Sequence, residues 1–239
     1  YVDRLCNLEL TKSEVRSIGF PLSEALVQRE FLIAGGTIEG AEKALSEGIA
    51  MNIAGGTHHA FPDRGEAFCL LNDQAIAAQH LLDSGQAKKI LVLDLDVHQG
   101  NGTAVIFKDH PEVFTCSVHG AKNYPFRKEK SDWDLPLEDQ CADLTYLNQL
   151  KTLLPKLYEN VQPDFIFYLC GVDVLETDKL GRLGLTLNGC KQRDELVLSF
   201  CKKNKIPVQC SMGGGYSKDI KTIIEAHANT YRIAKSLFT

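Results

Sequence analysis

The sequence predicts an α/β fold, a three-layer α/β/α sandwich around a mostly parallel sheet. Three observations carry that prediction. First, five runs at 50–54, 90–97, 113–118, 165–170 and 206–212 are strand-length, apolar and rich in Val and Ile. Runs apolar on both faces suit strands covered on both sides. Second, helical patterns lie between them at 71–84, 144–160 and 191–205, with Ile220–Phe238 closing the chain. Strands alternating with helices argue for a parallel sheet. Third, four of the runs lead into glycine and polar residues: Gly55-Gly56-Thr57-His58-His59, His98-Gln99-Gly100-Asn101-Gly102, Gly171-Val172-Asp173 and Gly213-Gly214-Gly215-Tyr216. In open parallel sheets ligands bind beyond the carboxyl ends of the strands. Segments far apart in sequence thus deliver His, Asp, Asn and Tyr to one edge.

The 239 residues show no repeat, low-complexity stretch or linker, so 1–239 is read as one domain. The chain starts at Tyr1 rather than Met, and residues are expected to be missing before it. A net charge of −5 without a Lys/Arg block argues against direct nucleic-acid binding. No apolar run approaches the ~20 residues that span a bilayer, so no membrane partner is expected. Eight cysteines form no C-x-x-C pair and several lie in apolar runs, which suits a reducing compartment. The cytoplasm is the expected location, with the nucleus as a second address in a eukaryote. Oligomeric state is left open.

The chemistry is read first from Asp94, Asp96 and His98. On a regular strand, alternate side chains share a face. Neighbours in that set are roughly 6.7 Å apart, so Asp96 and His98 can share one ion, while Asp94 and His98, about 13 Å apart, cannot. Asp94 is therefore placed behind the ligands. Asp173, after a strand end and a glycine, is the third ligand, which leaves an open position as catalytic zinc requires. Zn²⁺ is the expected ion, but one His with two carboxylates is harder than a typical zinc set, so Fe²⁺ or another divalent metal is the alternative. The rival reading makes the aspartates turn residues and His98 a satisfied core histidine. Two carboxylates and a His on one face of an apolar strand outweigh it, because unpaired buried charges are costly.

His58 and His59 suit proton transfer near neutral pH. Partners of unlike charge, Asp94 and Asn101, would hold them in different protonation states. The rival is a turn with two solvated histidines. Tyr216, after three glycines, can polarise a substrate carbonyl opposite the metal. The rival phosphate cradle lacks the Gly-Lys-Ser/Thr ending.

Together these residues resemble the histone deacetylase family. The matching motifs are Gly55-Gly56-Thr57-His58-His59-Ala60, Ala67-Phe68-Cys69-Leu70-Leu71-Asn72-Asp73, 94–102, 171–180 and 213–216. They run from about residue 50 to the end, with weaker similarity to bacterial members back through Gly19-Phe20-Pro21. His98-Gln99-Gly100-Asn101-Gly102 and Asp178-Lys179-Leu180-Gly181 resemble the class IV branch and its bacterial relatives.

The resemblance implies an arginase/deacetylase-like fold and hydrolysis of acyl-lysine in peptides or proteins by metal-activated water. It matches Asp96, His98 and Asp173 to the metal ligands and His58 and His59 to the tandem histidines, with His59 the general base. It matches Tyr216 to the carbonyl-polarising tyrosine, and Asp94 and Asn101 to the groups behind the histidines. Phe68, Leu180 and Gly214 match the substrate channel. A structural K⁺ site would use Asp94, Asp96, His98, Ser117 and Val118.

The sequence also departs from the family pattern. Asn101 stands where class I members carry Asp, which leaves His59 a neutral partner. Ala67 replaces a usual Gly, which would narrow the channel wall. The second aromatic wall is Tyr124 or Phe126. Other readings are a small-molecule acyl-amine deacetylase of the acetylpolyamine type, a non-catalytic acyl-lysine reader, and an arginase-like binuclear enzyme, which needs more carboxylates than are found.

Overall fold

Every residue of β2 (Ile90–Asp94) and β5 (Phe165–Leu169) is buried, as runs apolar on both faces require. The computed structural model describes residues 1–239. These two strands lie at the centre of a six-stranded sheet with β1 (Ile49–Asn52), β3 (Val113–Gly120), β4 (Trp133–Leu137) and β6 (Val208–Ser211). The order is β1-β6-β5-β2-β3-β4, and every pairing is parallel.

Alternation along β2 divides the core. Leu91 and Leu93 pack with Leu150 of α6 (Asp143–Val161), Val197 of α7 (Leu187–Asn204) and Ala226 of α8 (Ile220–Phe238). Ile90 and Val92 pack with Ala41 of α3 (Glu24–Glu47) and Leu81 of α4 (Asp73–Asp83). The three-layer reading therefore holds. α5 (Asn101–Ile106) follows the second strand end. At the N-terminus, α1 (Val2–Cys6) and α2 (Lys12–Ile18) bury Leu5 and Ile18 against Leu70 and Leu71 in a smaller cluster of their own.

Three features differ from the expectation. β4 contains Asp134 and Pro136, which mask an apolar run. Proline is tolerated there because β4 is an edge strand. The long α3 buries Val27, Glu30, Ala34, Thr37, Ala41 and Ala44, a helical spacing written in mostly small or polar residues. Its glycines weaken the helical signal. One of them also allows close packing, since a Cβ on Gly36 would stand 3.2 Å from Asn52 Nδ2 of β1. The third difference bears on the site: β2 ends at Asp94, not at Val97.

Candidate active site

The end of β2 is set by its own carboxylates. The Asp96 N–H donates to Asp94 Oδ1 (3.1 Å), and the His98 N–H donates to Asp96 Oδ1 (3.0 Å). Each aspartate turns the chain two residues further on, the habit of an Asx-turn. The expected regular strand through His98 is thus corrected to a strand followed by two successive turns. Asp96 and His98 are still brought together, and Asp94 still stands behind them.

β5 lies beside β2, so the loop after β5 delivers Asp173 to the same place. The Val97 N–H donates to Asp173 Oδ1 (3.0 Å), and the Gly214 N–H donates to Asp96 Oδ2 (2.9 Å). Ligand atoms of Asp96, His98 and Asp173 all lie within 4.8 Å of one another. His98 Nδ1 sits 3.1 Å from Asp96 Oδ1 and 3.2 Å from Asp173 Oδ2. Asp173 is fully buried, and its Oδ2 has no hydrogen-bond partner. Burial and the charge of Asp96 push the Asp173 carboxyl up to about 7. Burial opposes a charge on His98, yet Asp173 and Asp96 hold its imidazole up at about 10. The cluster thus calls for positive charge, which a divalent cation supplies when it displaces the proton. The donor set fits a divalent cation.

Glycine is required where these carboxylates converge. A Cβ on Gly171 would stand 2.2 Å from Asp96 Oδ2, and one on Gly214 would stand 2.1 Å from Asp173 Oδ2. Either methyl would fill the cradle.

The histidine pair sits on the loop after β1, held by Asp73 at the start of α4. Asp73 Oδ1 accepts from the Gly56 and Thr57 N–H groups, both at 2.9 Å. His58 Nδ1 is 2.7 Å from Asp94 Oδ2, and His59 Nδ1 is 2.6 Å from Asn101 Oδ1. Both rings are buried, with centroids 4.1 Å apart. Burial opposes charge on His58, but Asp94 outweighs it and lifts the imidazole to about 9. Burial, with His58 alongside, holds His59 well below the usual imidazole range. The two histidines thus differ: Asp94 raises His58, while burial and the neighbouring His58 lower His59.

Tyr216 is placed by Asp178, whose Oδ2 accepts the Tyr216 N–H at 2.6 Å. Burial and the charges of Asp96 and Asp173 raise its phenol, which stays a proton donor. Asp96, His98, Asp173, the histidine pair and Tyr216 line one cavity of about 520 Å³. Phe68, Leu180 and Gly214 line it too. Both aromatic candidates, Tyr124 and Phe126, line the cavity. Tyr124 stands edge-on to His59 at 5.0 Å, while Phe126 lies at the mouth, 89% exposed. Of the remaining expected residues, Ser117 pairs in register with Asp94, and Ser117 and Val118 are both buried.

Sequence reasoning missed the brace behind the cluster. The Arg193 guanidinium donates to the carbonyls of Gly171 (2.6 Å), Leu95 (3.2 Å) and Cys170 (3.2 Å), holding the backbone beside both Asp96 and Asp173. Asp194 pairs with it and accepts from the Tyr168 and Thr230 hydroxyls, each at 2.6 Å. Both charges are 0% exposed. A signal was present: Cys190, Arg193, Asp194, Val197, Leu198 and Cys201 form one buried helical stripe, so the charges fall where only paired charges survive. Glu66 and Asp178 were missed as well, because each acts on a residue distant in sequence.

Fold and site together define an α/β protein with a buried Asp-His-Asp cluster, able to hold a metal, at the carboxyl edge of a parallel sheet. A histone deacetylase domain family model matches residues 1–231. An uncharacterized protein of Picosynechococcus sp. is 46% identical over the whole chain and 79% of its own length. Histone deacetylase 2 of Arabidopsis thaliana is 32% identical over 89% of this chain and 57% of its own length. Histone deacetylase 1 of Homo sapiens is 32% identical over 92% and 46%. The chain spans about half the length of these two named relatives. The crystal structure of the HDA15 HD domain superposes with a TM-score of 0.77 over 97% of this chain and 74% of that one, at 20% identity, a likeness of fold. The chain belongs to the histone deacetylase family. No helix is long and apolar enough to cross a membrane.

Proposed function

We propose that the chain is one metal-dependent deacylase domain that removes acetyl or longer acyl groups from lysine side chains. One observation carries this reading: the buried ligand atoms of Asp96, His98 and Asp173 lie within 4.8 Å of one another at the floor of a cavity that unlike histidines and a tyrosine also line. Asp96, His98 and Asp173 would hold the ion. When bound, it would acidify water and polarise the substrate carbonyl. His59, held neutral, takes the water proton. Tyr216 donates to the carbonyl oxygen as negative charge develops there. His58, kept protonated beside Asp94, supplies positive charge, and the histidine pair returns a proton to the leaving amine. Phe68 and Tyr124 flank the entering acyl-lysine stem.

The motif at 98–102 supports a place near the class IV branch. The register of Ser117 beside Asp94 supports a structural K⁺ site using Asp94, Asp96, His98, Ser117 and Val118. Against the acetylpolyamine alternative stands Lys179 at the mouth, while Lys122 and Arg182, which also line the cavity, are paired with Asp139.

The test is deacylation of acetyl-, medium-chain and long-chain acyl-lysine peptides by wild type, His59→Ala and Tyr216→Phe. Tyr216→Phe should lose about 10²–10³ in kcat, the worth of one such donor. Full rates in both variants would sink the assignment.

A further inference from the structure

The Asn101 amide has two chemically opposite ends. Its Oδ1 lies 2.6 Å from His59 Nδ1, and its Nδ2 donates to Glu66 Oε1 at 3.2 Å. A carboxylate oxygen can only accept, so Glu66 admits only the NH₂ end of the amide. That turns Oδ1 toward His59. An amide oxygen also only accepts, so the proton of a neutral His59 must sit on Nδ1. The other ring nitrogen, Nε2, is then left bare. We propose that Glu66 is a positioning residue which, through Asn101, sets the tautomer of His59 and keeps Nε2 free to accept a proton. This rests on the reading of His59 as the base.

A second contact points the same way. The Tyr124 hydroxyl donates to the same Glu66 oxygen, and the Tyr124 ring stands edge-on to His59, at 86°. One carboxylate thus holds both the amide behind His59 and the aromatic wall beside it. Glu66 is itself fixed. Its backbone exchanges two hydrogen bonds with Cys69, each 2.9 Å, and Arg64 Nε lies 3.5 Å from its second oxygen. Without Glu66 the Asn101 amide can turn over and offer its NH₂ to Nδ1. His59 would then carry its proton on Nε2 and could not act as a base, although the metal cluster would be intact. An aspartate at 101 would have two accepting oxygens and no wrong way round, so Glu66 is needed because residue 101 is Asn.

The experiment uses the full chain loaded with Zn²⁺ and labelled with [¹⁵N]histidine. Long-range ¹H–¹⁵N spectra report which ring nitrogen is protonated, and His59→Gln assigns the resonance. Wild type should show His59 protonated on Nδ1. Glu66→Ala should move protonation wholly or partly to Nε2 and lower kcat about 10–100-fold, the usual effect of an orienting partner. KM should stay within about threefold and zinc content should not change. In an Asn101→Asp background the kcat cost of Glu66→Ala should shrink below about threefold. Should Glu66→Ala fail to fold, the near-isosteric Glu66→Gln, which can face Asn101 with either end, should give a mixture of tautomers. The proposal is overturned by an unchanged Nδ1–H tautomer in these variants, or by an equal kcat cost in both backgrounds. A wild type inert toward every acyl-lysine peptide would refute the deacylase reading, while the tautomer spectra would still decide this one.

Discussion

The floor of the cavity and its mouth are built in opposite ways. At the floor, Asp96, His98 and Asp173 lie in short turns after two central strands; backbone N–H groups hold both carboxylates, which in turn flank His98 Nδ1. At the mouth, Phe68 sits on a two-residue turn between Glu66 and Cys69 in which both central residues have positive φ, 45° at Ala67 and 68° at Phe68. Two positive values are the mark of the mirror-image hairpin turn that normally takes Asn-Gly. That turn is pinned from outside by α2: the N–H groups of Ala67 and Phe68 donate to the carbonyls of Ser17 and Ile18 at 2.9 and 2.7 Å. The floor is held by several strand-end loops at once, through Val97 to Asp173 and Gly214 to Asp96, whereas the mouth is held in a strained shape by one helix. Strain of this kind persists only where surrounding contacts over-determine it.

Three changes would break or sharpen that contrast. The largest effect is expected from Gly214→Ala, which adds one methyl at the floor. Its Cβ would stand 2.1 Å from Asp173 Oδ2, so bound metal should fall to background and deacylation by at least about 10³-fold, since metal assistance is worth several kcal/mol. Metal analysis of the purified protein beside a rate measurement would check this. Normal metal content would show that the floor yields. Phe68→Ala at the mouth should leave metal content unchanged and raise KM for acyl-lysine peptides about tenfold, as lost apolar contact to substrate does. A fall in kcat alone would contradict a wall role. The smallest effect is Ala67→Gly. It relieves a left-handed alanine worth roughly 1–2 kcal/mol, offset in part by the unfolded-state entropy of glycine. Denaturant unfolding should show a gain of about 0.5–1 kcal/mol. A loss would mean that the turn is not strained at this residue.

The same contrast explains what could be read from the sequence. The floor was legible because its donors and glycines are clustered within motifs, and strand-then-glycine punctuation places them on one edge. Asp94 was placed behind the ligands for a reason that needs amending: turns at Asp94 and Asp96, not distance along a strand, decide the geometry. The mouth was less legible. Nothing near Ala67 announces that α2 will hold it, and nothing near Glu66 announces Asn101 or Tyr124, 35 and 58 residues away. α3 and β4 were hidden for a different reason, namely that small residues and an edge proline carry little hydrophobic pattern.

Arg193 has a consequence for the order of assembly. Its contact to Leu95 closes a loop of 98 residues, and its contacts to Gly171 and Cys170 join α7 to β5. Contacts of such long range come late, because loop closure must precede any gain from them. The turns that carry Asp96 and Asp173 can form early, but their mutual spacing is settled only once α7 has docked. A metal site built from Asp96, His98 and Asp173 would therefore be complete only once α7 has docked.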